Sequence, residues 1–246
     1  MMKKVLITLG AIIAALILFA AGYFIMMKSV INKMTTVETG KITGNVFAIK
    51  DSFVNAFVIG SDSGYIMIDA GNAIETINAG LAGLNIDPAK VRAIFLTHSD
   101  ADHVAAIPEF PDAAVYLSRQ EEQMINGETG RFFVFGNKIS TKKYTLLDDD
   151  QVINLPGISI KGILSPGHTP GAMCYLVNEK YLFTGDVLSL KNGKVEEFSK
   201  FINMDTRTDR KSIDKLSRLE GVAYILTAHY GISENFETSF RDWGKQ

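Results

Sequence analysis

Cysteine is nearly missing from this 246-residue chain: Cys174 is the only one. An internal disulfide is therefore excluded. Cys174 lies within Met173-Cys174-Tyr175-Leu176-Val177 and reads as a small buried apolar residue rather than a nucleophile. No cysteine stands near the N-terminus, which excludes a lipoprotein anchor there. Basic charge is also short. Four lysines and no acids fall in residues 1–35, and 25 basic side chains less those four leave 21 against 27 acidic ones, a net of −6. That balance offers no electrostatic footprint for nucleic acid. No Gly-rich nucleotide loop is present. Histidine is scarce too, with four in the chain.

Residues 5–27 lack charge altogether, and the run is apolar from Val5 to Met27. About 20 such residues are needed to cross a bilayer as a helix. Lys3 and Lys4 precede the run, and Lys28 and Lys33 follow it. A cleaved signal peptide is the rival, with Ala20-Ala21-Gly22 as a cleavage site. Its apolar region is usually shorter, about 7–15 residues, whereas here Tyr23-Phe24-Ile25-Met26-Met27 continues beyond that site. The expectation is an uncleaved membrane anchor. The lysines and amino group of the short tail favour tail inside and domain outside the cytoplasm. The expected division is residues 1–35 as anchor and linker and 36–246 as one globular domain.

Strand-like runs follow at Ile42–Lys50, Phe53–Ile59 and Tyr65–Ile68, separated by turn residues. A helix is expected next, with Asn72 as its cap and Ile74, Ile77, Leu81 and Leu84 on one face. Residues 92–96 and Ala114–Leu117 read as strands, and about 118–125 as a helix. Residues 126–145 combine Gly127, Gly130 and Gly136 with Phe132, Phe133 and Phe135. They read either as a connection folded over a site or as aromatics packed on the body. Strands are then expected at Gln151–Leu155, Ile158–Leu164, Ala172–Val177, Tyr181–Phe183 and Tyr224–Leu226. A helix is expected at Thr208–Leu219, with a terminal helix through Phe236, Phe240 and Trp243. Strand runs followed by a helix, twice over, imply an α/β sandwich of two similar halves. Asp148-Asp149-Asp150 reads as a solvated turn.

The informative pattern is at strand ends. Ile94-Phe95-Leu96-Thr97 leads into His98, Asp100, Asp102 and His103, four ligand-type side chains within six residues. Three other apolar runs end the same way, at His168, Asp186 and His229. All four histidines sit in these segments. Loops at strand ends on a rigid sheet are the usual place for reactive groups, and imidazole with carboxylate is a common metal-ligand set. Burying such a cluster without a cation is costly.

The motifs Thr97-His98-Ser99-Asp100-Ala101-Asp102-His103, Ser165-Pro166-Gly167-His168-Thr169-Pro170-Gly171, Phe183-Thr184-Gly185-Asp186 and Thr227-Ala228-His229-Tyr230-Gly231 resemble those of the metallo-β-lactamase-fold hydrolase superfamily, over roughly residues 42–232. The resemblance implies a four-layer αββα sandwich, here preceded by the N-terminal transmembrane helix. It implies two divalent metal ions, zinc first, with manganese or iron as alternatives. His98, Asp100 and His168 would hold one ion; Asp102, His103 and His229 would hold the other; Asp186 would bridge them, and Asp69 would support the site from behind. Asp100 departs from the family's His-x-His-x-Asp-His pattern, adding negative charge and a harder donor.

The chemistry implied is hydrolysis by a metal-bound hydroxide that Asp102, the expected catalytic residue, orients. An ester, thioester, lactone or similar small-molecule bond is the expected substrate. Three alternatives stand beside it. They are a phosphodiesterase resembling DNA-uptake proteins, a non-heme iron enzyme using oxygen, and a non-catalytic membrane-tethered metal-binding module. Fold likeness alone does not choose among them.

Overall fold

The structure is a computed structural model describing residues 2–131 and 136–245. The chain divides into two compact units, Met1–Met34 and Thr35–Gln246.

The first unit contains helix α1, Met2–Ile31. Its stretch Thr8–Ile31 is long and apolar enough to cross a membrane, by length and composition, as a signal sequence also is. Leu16, Ile17, Leu18, Phe19 and Phe24 are exposed.

The second unit is built on two sheets. The larger has seven strands in sequence order: β1 Gly40–Thr43, β2 Val46–Asp51, β3 Val54–Ser61, β4 Gly64–Ile68, β5 Val91–Phe95, β6 Ala114–Ser118 and β7 Thr145–Leu147. The first four strands pair antiparallel, and β4 to β7 run parallel. The second sheet uses β8 Val152–Leu155, β9 Ile158–Leu164, β10 Met173–Val177, β11 Tyr181–Gly185, β14 Tyr224–Thr227 and β15 Ile232–Ser233, in the order β15-β14-β11-β10-β9-β8. A separate hairpin, β12 Leu188–Lys191 with β13 Lys194–Glu197, follows β11. Its Asn192-Gly193 turn has positive φ at both residues, the geometry that a two-residue hairpin favours.

Alternation along the strands explains the layering. One set of faces meets between the sheets, where Phe57, Phe95 and Ile68 pack with Tyr175, Phe183, Met173 and Leu226. On the outer face of the first sheet, Met67, Ile94 and Val58 pack against Ile77 and Leu81 of α2, Ile74–Gly83. On the outer face of the second, Leu182, Ile225 and Cys174 pack against Ile213 and Leu216 of α5, Thr206–Leu216, and Phe236 and Phe240 of α6, Phe236–Phe240. The result is the αββα sandwich expected. Two short helices complete the inventory, α3 Ala101–Val104 and α4 Glu122–Ile125, the latter preceded by a 3-10 turn, Arg119–Glu121.

Several expectations are adjusted. Asn72 does not cap α2; the N-cap is Ala73, with no side-chain cap bond. Instead the buried Asp51 carboxylate, from the end of β2, accepts from the backbone N–H of Asn72 and Ala73, both at 2.7 Å. A carboxylate from a distant strand thus satisfies N–H groups at the helix entry. The expected helix 118–125 is half 3-10 turn. Hairpin β12–β13 and strand β7 were not foreseen. Asp148, Asp149 and Asp150 form surface ion pairs with Arg119, Lys215 and Lys161, as befits a solvated turn. Cys174 is fully buried, and burial pushes its thiol up to about 12. Phe132, Phe133 and Phe135 lie outside the described residues.

Candidate metal centre

All seven residues singled out in the sequence converge at one end of the sandwich. His98 follows β5, His168 follows β9, Asp186 follows β11 and His229 follows β14; Asp102 and His103 lie on α3, with Asp100 at its N-cap. Backbone bonds lock the two sheets together at this end. Met173 N–H donates to Thr97 O, and Asn55 N–H donates to Ala228 O, each at 2.8 Å. The buried Tyr175 hydroxyl donates across the core to Leu96 O at 2.8 Å.

Two loop turns depend on glycine. A Cβ on Gly185, where φ is +51°, would stand 2.5 Å from Thr97 Oγ1. One on Gly167, where φ is +146°, would stand 2.2 Å from Asp209 Cα. Only glycine lets the chain pass so close in that conformation and still aim Asp186 and His168 inward.

Each imidazole is oriented from behind through Nδ1. His103 Nδ1 faces Asp69 Oδ2 at 2.9 Å, and His229 Nδ1 faces Phe53 O at 2.6 Å. His168 Nδ1 faces Asn203 Oδ1, and His98 Nδ1 faces Thr97 Oγ1, both at 3.1 Å. Every one of these partners can accept; the Thr97 hydroxyl does so because its own proton goes to Asp69 Oδ2 at 2.8 Å. The proton therefore belongs on Nδ1 in all four rings, leaving each Nε2 lone pair directed into the centre.

That centre gathers ligand-type atoms in three overlapping sets: His98 with Asp100 and His168, His98 with His103 and Asp186, and Asp102 with His103 and His229. Asp186 stands between them. Its Oδ1 is 3.1 Å from His229 Nε2 and 3.4 Å from His103 Nε2, and its Oδ2 is 3.5 Å from His168 Nε2. His98 Nε2, His103 Nε2 and Asp186 Oδ1 are buried with no hydrogen-bond partner. Orphaning even one buried polar atom costs about 1–3 kcal/mol. Three aimed at one point fit a divalent cation, and the mixed imidazole–carboxylate set suits zinc.

The charges support the same fit. Burial opposes ionisation of Asp186, but His229, His103 and His168 overcome it and hold the carboxyl far below its usual range. Burial likewise opposes the Asp100 carboxylate, and the neighbouring His168 and His98 imidazoles still hold it well below normal. Asp102 has a side chain 22% exposed, whereas the four imidazoles are at most 1% exposed, so it marks the open side.

Three residues of the site were missed in the sequence. Glu121 is fully buried; Oε1 accepts from Ser99 N–H and Oγ–H, and Oε2 from Thr169 Oγ–H and Gly171 N–H. It thereby ties the His98 loop to the His168 loop. Arg131 reaches Asp100, His168 and the carbonyl of Ile202. Asn137 donates to Asp100 Oδ1 at 2.8 Å and to Ser99 Oγ at 3.0 Å. No sequence period marks these three, because each acts from an irregular segment.

Comparison with known proteins agrees with the geometry. A probable polyketide biosynthesis zinc-dependent hydrolase, PksB of Bacillus subtilis (strain 168), is 34% identical over 126 residues, covering 50% of this chain and 49% of the relative. A hydroxyacylglutathione hydrolase of Glaesserella parasuis serovar 5 (strain SH0165) is 29% identical over 145 residues, covering 57% and 52%. The chain spans about half the length of these curated relatives. The solved structure of Rm3 metallo-beta-lactamase superposes with a TM-score of 0.63 at 17% identity, covering 81% of each chain, which bears on the fold. The family model of the metallo-beta-lactamase superfamily matches residues 49–229, and the chain belongs to that superfamily.

Proposed function

We propose that this protein is a zinc-dependent hydrolase acting on an ester, thioester, lactone or similar bond of a small molecule. We further propose that residues 5–27 anchor it in a membrane, with residues 36–246 as an extracytoplasmic catalytic domain. The observation that carries the enzymatic reading is the convergence of four Nε2 lone pairs and the Asp186 carboxylate on one buried point, open to solvent beside Asp102.

Asp102, His103, Asp186 and His229 would hold a divalent ion. When bound, that ion supplies a Lewis acid that activates water and polarises the substrate's scissile group. The chain's own residues do the rest. Asp69 and Phe53 O fix the His103 and His229 rings. Asp102, with Oδ2 3.5 Å from His229 Nε2 and its side chain partly open, is placed to orient the attacking water. The four imidazoles are buried, which strengthens each of these electrostatic contacts.

The relatives' names support hydrolysis of acyl compounds: one is named a probable polyketide biosynthesis zinc-dependent hydrolase and the other a hydroxyacylglutathione hydrolase. The acidic balance of residues 36–246 supports a small molecule rather than a polyanion. A partly exposed Asp102 argues against a purely structural metal, which is usually closed in a four-ligand cage.

The test is Asp102→Ala in the full chain, purified in detergent and assayed on a panel of thioesters, esters, lactones and phosphodiesters. Turnover of the best substrate should fall on the order of 10²–10⁴-fold while the circular dichroism spectrum is unchanged. Unaltered turnover would refute the role given to Asp102. Selective turnover of the phosphodiester would replace the proposed substrate class.

A further inference from the structure

Arg131 lies where the first expected ion would bind. Its Nη2 meets Asp100 Oδ2, its Nε is 3.3 Å from Asp100 Oδ1, and the same Nη2 is 2.9 Å from His168 Nε2. Its Nη1 donates to the carbonyl of Ile202. The guanidinium therefore engages both carboxylate oxygens and the inward lone pair of His168, and it is anchored on its far side by backbone.

The tautomer makes this specific. His168 Nδ1–H donates to Asn203 Oδ1, and the Asn203 amide is in turn fixed by donating to Asp209 Oδ2 at 2.9 Å. His168 Nε2 is therefore an acceptor, and an arginine N–H satisfies it. The same lone pair and the same Asp100 oxygen cannot serve a guanidinium and a metal ion at once. Arginine stays protonated under all ordinary conditions, and its paired N–H groups match a carboxylate in bidentate geometry. Asn137 adds a further donor to Asp100 Oδ1. Of the inward-facing atoms, His98 Nε2, His103 Nε2 and Asp186 Oδ1 remain without hydrogen-bond partners, while His168 Nε2 and Asp100, the two groups that Arg131 meets, are satisfied. The substitution of aspartate for histidine at position 100 then has a physical reason, since imidazole could not form the ion pair that a carboxylate forms here.

We infer that Arg131 is the resident cation of the His98–Asp100–His168 set, so that this protein holds one metal ion, at Asp102, His103, Asp186 and His229, instead of two. The inference rests on the metal-dependent reading above. It assigns the extra negative charge of Asp100 to an internal ion pair, and it places a fixed positive charge beside the one metal.

The experiment is zinc stoichiometry of the full chain in detergent, by elemental analysis after zinc saturation and gel filtration, for the wild type, Arg131→Gln and His168→Ala. The expected counts are one ion in the wild type, two in Arg131→Gln and one in His168→Ala. Arg131→Lys is included because it keeps a cation, and it should stay at one. Two ions in the wild type would overturn the inference while leaving the metal-dependent reading intact. One ion in both the wild type and a folded Arg131→Gln would also overturn it, since Arg131 would then not be what excludes the second ion. No bound zinc in a folded wild type would remove the metal-dependent reading itself, and the inference with it.

Discussion

The carboxylate of Asp69 joins the imidazole of His103 to the backbone of the neighbouring loop. Its Oδ2 receives His103 Nδ1 at 2.9 Å and the Thr97 hydroxyl at 2.8 Å, while Oδ1 accepts the Thr97 N–H at 2.7 Å. Asp69 itself is held at φ of +61°, an unusual conformation for a residue other than glycine. Such strain persists only where the surroundings enforce it, and it gathers at functional sites. Asp69→Asn puts an amide N–H against one of these donors and loosens the ring. Zinc affinity should fall about 10–100-fold, read by competition with a chromophoric chelator. An unchanged affinity would show that the His103 ring is fixed by packing alone.

Glu121 is the second support from behind. Each of its oxygens accepts two hydrogen bonds in a fully buried setting. Glu121→Gln replaces one accepting oxygen by a donor that faces other donors. Removing the match should destabilise the second unit by about 1–3 kcal/mol, measured by urea denaturation. Gly171 leaves no room for relaxation, because a Cβ there would stand 2.0 Å from Glu121 N. A loss below the error of the measurement would mean that water has replaced the buried bonds.

Asp209 makes one distinct contribution to the pH dependence of stability. It is buried on α5, with Oδ1 unpartnered and Oδ2 accepting from Asn203. Burial first, and then the negative charges of Glu197, Asp186 and Asp205, push its carboxyl up to about 8 despite the Asn203 bond. A raised pKa means that the folded protein holds a proton that the unfolded chain releases near pH 4. The stability from that proton is complete below about pH 4 and is lost as pH rises to about 8. Asp209→Asn keeps the shape without the titration. The melting temperature of the wild type should fall relative to Asp209→Asn between pH 4 and 8, with a constant gap above that. Parallel profiles across the range would contradict the assignment.

The sequence made the fold and the ligand loops readable for distinct reasons. Strands such as Met173–Val177 and Tyr181–Gly185 are buried on both faces and so appear as continuous apolar runs. His98, His168, Asp186 and His229 stand out because each follows such a run. Asp69 carries no local signal of its own; only the family resemblance points to it as a support, and it faces His103 Nδ1 at 2.9 Å. What escaped were contacts made across large sequence separations. Asp51 serves α2 from 22 residues before Ala73, and Arg131 meets His168 from 37 residues away. Neither has a local pattern, since their partners are chosen by folding and not by spacing. Hairpin β12–β13 escaped because Leu188-Ser189-Leu190 is too short to stand out as a strand.

The measurement that bears most directly on metal-dependent hydrolysis is removal and return of the metal in one preparation of the full chain in detergent. The protein is stripped with a chelator, exchanged into metal-free buffer, and assayed on the best substrate of the thioester, ester and lactone panel before and after zinc is restored. Turnover should vanish on stripping and return with zinc, in proportion to bound zinc, with Asp102→Ala failing to recover. Turnover that survives stripping, or zinc that rebinds to the folded protein without restoring it, would contradict the account.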